Sequence, residues 1–102
     1  MEKIYDVFGQ ELKIGDIVSA SENISTSMHR QVPFCIVGFK EQKHGVITLL
    51  VHLLRKYPNY SYAGIYDGCE GIEWLIPKDK SNPTKRKPSK LVKINIKLKE
   101  EV

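Results

Sequence analysis

The stretch VKINIKLK, Val92 to Lys99, alternates apolar and polar residues without a break, and a period of two belongs to a β-strand. Val92, Ile94, Ile96 and Leu98 fall on one side; Lys93, Asn95, Lys97 and Lys99 fall on the other. A strand cannot satisfy its backbone alone. It needs a neighbour to pair with and an apolar surface to cover. The end of the chain is therefore structural, and the remainder must hold a sheet for it to complete.

Three further segments carry strand chemistry. IVSAS follows the tight turn IGD at Gly15–Asp16, where glycine supplies positive φ and aspartate a turn-forming carboxylate. VPFCIVGFK, Val32 to Lys40, opens with Pro33 near its start, and Gly38 inside it predicts a bulge or bend. VITLLVHLL, Val46 to Leu54, is the most apolar run; its length and β-branched residues favour a strand, although its periodicity would also suit a buried helical turn. KEQKHG between the last two is a short turn, so an antiparallel meander follows. A long helix near the N-terminus is excluded because Gly9 and Gly15 interrupt each apolar stripe. Phe8, Leu12 and Ile14 are expected to lie over one open end of the sheet as a lid.

The other segments read as connections. SENISTSMHRQ, Ser21 to Gln31, is polar and predicts an exposed loop. Arg55 to Pro77 holds four tyrosines and the one tryptophan, predicting an elaborated loop with a short strand or helical turn at IEWLI and Trp74 in the core. KDKSNPTKRKPSK, residues 78–90, contains no apolar side chain except its prolines and predicts an extended, solvated connector. With 102 residues, 41% of them hydrophobic and 27% charged, the chain fits a single globular domain over 1–102. The N-terminus shows no apolar signal region and no run long enough to span a bilayer, so a soluble cytoplasmic protein without a membrane partner is expected.

Charge is unevenly spread. Residues 1–77 carry seven Lys/Arg against nine Asp/Glu, whereas 78–102 carry nine against three. A neutral body with a basic end suits an anionic partner, and it also suits a solvated tail. For nucleic acid the candidate phosphate contacts are Lys78, Lys80, Lys85, Arg86, Lys87 and Lys90. Arg55 and Lys56 stand beside Tyr57, Tyr60 and Tyr62, a pairing of cations with aromatic faces used by sequence-tolerant single-strand binders. The same tyrosines, with Tyr66, equally suit packing over a core edge with wet hydroxyls.

Other chemistries find little support. Cys35 and Cys69 read as two free thiols, and neither they nor His29, His44 and His52 stand at structural-zinc spacing, so no metal or other cofactor is expected. Cys69 lies between Asp67 and Glu70, whose carboxylates disfavour a thiolate, and phosphate-binding loops and nucleophile elbows are missing from the sequence. A non-enzymatic role is expected.

DVFGQELKIGDIV, Asp6 to Val18, taken with PSKLVKI, Pro88 to Ile94, resembles a group of small proteins encoded by tailed bacteriophages. In that group D-x-F-G-x-E-I-K-x-G-D-x-V leads into a compact SH3-like, KOW-like barrel, closed by a strand reading P-S-R-L-V-K-I. Asp6, Phe8, Gly9, Glu11, Lys13, Gly15, Asp16 and Val18 match; Leu12 stands for Ile and Lys90 for Arg. The segment Arg55–Pro77 is longer than the compact pattern allows. The resemblance implies a mainly β, small SH3-like antiparallel barrel of about five strands, its last strand Leu91–Lys99 completing the sheet. It also implies an accessory protein that binds DNA or RNA in the host cytoplasm. The alternative is a host-takeover or anti-defence protein whose loops, Arg55–Pro77 and Ser21–Gln31, grip a host protein or a small nucleotide signal. A monomer and a homodimer are both compatible with the open edges of so small a barrel.

Overall fold

The computed structural model describes residues 3–25, 28–56, 73–96 and 98. Among these residues the chain is mainly β. Two short strands, β1 (Ile4–Tyr5) and β2 (Glu11–Leu12), pair antiparallel around the first turn. Three long strands follow as a meander: β3 (Ile17–Ser25), β4 (Met28–Gln42) and β5 (Gly45–His52). β6 (Leu54–Lys56) pairs antiparallel with β7 (Glu73–Leu75). Then come β8 (Thr84–Arg86), a 3-10 helix (Pro88–Lys90) and β9 (Val92–Lys93). The main sheet runs β8-β5-β4-β3-β9, each neighbour antiparallel, so the last strand returns beside the first long one.

This sheet is buried on both faces, which explains why VITLLVHLL shows no clean alternation. On one face Val18, Ala20, Phe34, Ile36 and Leu50 join Leu12 and Leu91 in a first core. On the other, Ile17, Cys35, Val51 and Leu53 form a second core, against which Trp74, Ile76, Ile94, Ile96 and Leu98 pack half-buried. Trp74 and Leu98 also meet through a parallel β-bridge. Trp74 is therefore a packing residue, as expected.

The N-terminal segment forms a clasp with the end of the chain. Asp6 is 6% exposed, and its carboxylate accepts from the backbone N–H of Phe8 (2.9 Å), Gln10 (2.8 Å) and Lys93 (2.7 Å), and from the Gln10 side chain (3.0 Å). Val7 N–H donates to Leu91 O at 3.0 Å. The Lys93 ammonium reaches Glu11 O (3.2 Å) and the Asp16 carboxylate (3.3 Å), while Asp16 also accepts from Lys13 N–H (2.8 Å). The two sequence patterns, near the start and near the end, are thus the two halves of one contact.

Several expectations need correction. Ser21–Gln31 is not an open loop: Ser21, Glu22 and Asn23 pair with Gln31, Arg30 and His29, extending the β3–β4 hairpin. With only Ile24 and Met28 apolar, this stretch shows no alternation to mark a strand. Phe8 and Ile14 are 74% and 68% exposed, and of the expected lid only Leu12 enters the core. The clasp buries Asp6 and Leu12, and Phe8 and Ile14 are left exposed on its turns. Pro33 lies well inside β4; its carbonyl accepts from Leu53 N–H (3.2 Å), so its missing donor falls beyond the last β4–β5 rung at Phe34–His52.

The connector 78–90 is also more ordered than expected. Thr84–Arg86 adds an edge strand to β5, with Thr84 opposite Leu50, and Pro88–Lys90 forms the 3-10 helix. Among the described residues, the expected strand Leu91–Lys99 is a ladder only at Val92–Lys93, with Leu98 in an isolated bridge to Trp74. Beyond the ladder, Ile94 N–H still donates to Ile17 O of β3 at 2.9 Å, and Ile94 and Ile96 pack on the second core.

Gly38 sits at a bulge in β4, where the register slips between Ile36 and Gly38. A methyl there would meet Leu49 Cδ1 at an ordinary 3.5 Å, and the backbone is not left-handed. Gly38→Ala is expected to hold stability or raise it by up to about 0.5 kcal/mol in urea denaturation. Gly15, at φ +97°, gives the opposite result, with alanine costing roughly 1 kcal/mol.

Candidate nucleic-acid interface

The basic segment acquires its geometry from three local devices. At its start, Asp79 accepts from Ser81 N–H at 2.9 Å, which turns the chain between Lys80 and β8. β8 then fixes Lys85 opposite Leu49 and Arg86 opposite Thr48. Finally, Lys87 N-caps the 3-10 helix with extended backbone, and Lys90 N–H closes that turn on Lys87 O at 2.9 Å. Lys78, Lys80, Lys85, Lys87 and Lys90 are exposed; Arg86 is half-buried, with a guanidinium N–H donating to Lys85 O at 2.9 Å. Among the described residues none of these six cations is in an ion pair. Their charge is available to an external anion.

The six do not converge on one point. Lys85, Arg86, Lys87 and Lys90 follow the edge strand and its helix, whereas Lys80 lies within electrostatic range of Cys35 in the second core. Burial pushes the Cys35 thiol up, Lys80 opposes that shift and Asp16 adds to it. Cys35 is a free, buried cysteine, and Cys69 lies outside the described residues.

The second half of the expected interface is not brought into view. Arg55 and Lys56 lie in β6, opposite Trp74 and Glu73, and only their backbone is described. Tyr57, Tyr60, Tyr62 and Tyr66 lie outside the described residues.

A different aromatic residue stands beside the basic edge. A groove of about 440 Å³ opens between β1, the β4–β5 turn and the 3-10 helix, with Tyr5, His44, Ile47, Lys87, Pro88 and Ser89 in its walls. None of the described residues lining it is acidic. Tyr5 drew no reading from the sequence and His44 was weighed only as a metal ligand, because both are remote in sequence from the basic run. Only the return of the chain end to the first strands brings them together. The signal that existed was the pairing of that end with the N-terminal segment.

No family model, no curated protein and no solved structure matches this chain. The geometry stands on its own.

His52, the third histidine, is taken up elsewhere. Its ring lies on Phe34, centroids 4.4 Å apart, and Nε2 is 2.9 Å from Glu22 Oε1, so the pair roofs one end of the first core. Among the described residues no group of three His, Cys, Asp or Glu side chains is placed to hold a metal ion, and no helix is long and apolar enough to cross a membrane.

Proposed function

We propose that this chain is an SH3-like barrel module of the phage-encoded kind, acting without catalysis, that binds nucleic acid through its phosphates along the β8 edge. The fold part of the reading is supported by the strand order β8-β5-β4-β3-β9 and by a 3-10 helix leading into a last strand that rejoins the first long one. The observation that carries the binding part is the row Lys85, Arg86, Lys87 and Lys90, positioned by a strand and a helical turn and without ion-pair partners among the described residues. Cations held on a sheet edge neutralise phosphates with less ordering cost than the same cations on a loose tail, and each contact releases counterions.

Lysines on a short edge strand also keep it from pairing with another chain. Binding measurements separate the two roles. Anisotropy of labelled DNA, taken at several salt concentrations, is expected to show affinity falling steeply with salt. The triple change Lys85→Ala, Arg86→Ala, Lys87→Ala is expected to weaken binding about tenfold or more across sequences and to reduce the log–log salt slope by roughly 2 to 3. Unchanged affinity in the folded triple variant, or no binding by the parent at low salt, overturns the reading.

A further inference from the structure

We propose that the groove beside β8 is a subsite for one unpaired nucleobase, so that the nucleic acid this protein takes is single-stranded. The inference rests on the phosphate-binding reading above and adds the substrate class to it. Tyr5 is 49% exposed, and its backbone is fixed by pairing with Glu11 across β1 and β2. The neighbouring Ile4 packs on the first core, so the strand is anchored by one residue while the next is presented to the groove. An aromatic ring held this way offers a flat face at small entropic cost.

The groove supplies what a nucleotide requires on both of its chemically distinct parts. Tyr5 and Ile47 give an apolar surface for a base; Lys87, His44 and the Ser89 hydroxyl give donors for a phosphate or for base edges. Its volume falls within the usual range for sites that enclose a small ligand. Lacking any acidic group among its described lining residues, it attracts an anion. Lys87 is shared with the β8 row, so a strand whose phosphates follow Lys85 to Lys87 brings its next base to the ring. A base within a duplex has both faces covered by its stacked neighbours and cannot lie on Tyr5. Apart from the terminal pair, only a base outside a helix presents a free face.

The test compares labelled oligothymidylate with a duplex of equal length in anisotropy titrations, using the full chain and its Tyr5→Ala, Tyr5→Leu and Tyr5→Phe variants. The parent is expected to prefer the single strand. Tyr5→Ala and Tyr5→Leu should each lose about tenfold in single-strand affinity, the equivalent of roughly 1.4 kcal/mol of stacking, with duplex affinity and salt slope unchanged. Tyr5→Phe, which keeps the ring, should bind like the parent. Tyr5→Leu preserves apolar packing, so its loss cannot be assigned to a damaged fold. Equal affinity of Tyr5→Leu and parent for the single strand, or equal losses on both polymers, overturns the subsite while leaving phosphate binding in place. Absence of binding to either polymer at low salt overturns both.

Discussion

Asp6→Ala is expected to be among the most destabilising single changes in this chain, lowering the unfolding free energy by roughly 3 kcal/mol or more. The side chain is small, and its cost comes from what it leaves behind. Three backbone N–H groups, of Phe8, Gln10 and Lys93, lose their acceptor together with the Gln10 side chain. The clasp that joins the first turn to the last strand loses its centre. For a domain of this size the thermal midpoint should fall by roughly 15 °C, read by circular dichroism.

The same carboxylate sets an acid limit. Burial by itself would raise the Asp6 carboxyl, but hydrogen bonds from the amides of Lys93, Gln10 and Phe8 and from the Gln10 side chain outweigh it and hold the group below its ordinary value of 3.8. A depressed folded value means that the unfolded chain binds the proton first. Its stabilisation is thus complete above the ordinary value and is lost as the pH falls below 3.8 through the folded one. Asp6→Asn should flatten that acid limb, because the amide has no proton to gain; an unchanged pH profile in the variant would remove Asp6 from the account.

Leu91→Ala is expected to cost about 3 kcal/mol in urea denaturation, while Val92→Ala costs about 1 kcal/mol. Leu91 is fully buried in the first core, with its N–H on Pro88 O (3.0 Å) and its carbonyl accepting from Val7. Val92 is only half-buried on β9. Truncating the leucine opens a cavity at the junction of clasp, helix and sheet, where three elements meet and none can readily collapse. The reverse order, with Val92→Ala the more costly change, would restore the simple alternating strand that the sequence pattern suggests.

This contrast shows where the sequence was legible. The apolar runs of β3, β4 and β5 declared themselves through β-branched residues, and Gly15–Asp16 and Gly38 marked a turn and a bulge. Parity failed at Leu91 because the chain leaves a 3-10 helix there, so the alternating register begins one residue later. Apolar residues of both parities are then needed, since the sheet is covered on both faces. The polar arm of the β3–β4 hairpin left no signal because Ser21–Gln31 holds too few apolar residues to show a period. For the candidate interface, the basic run was plain in composition, but its strand and helical turn are each only three residues long. Tyr5 could be found only by knowing which ends of the chain meet.

The clasp has a kinetic consequence. Lys93 N–H and the Asp6 carboxylate are 87 positions apart in sequence, so the contact that joins the two ends is also among the last the chain can reach. The meander and the first turn can form from local contacts, but the clasp has nothing to close upon until the C-terminal quarter arrives. Closing so long a loop costs entropy before its contacts form, so this docking step is expected late in folding. During synthesis the Asp6 carboxylate has its Phe8 and Gln10 donors close by in sequence but lacks its last backbone donor until residue 93 is free to dock.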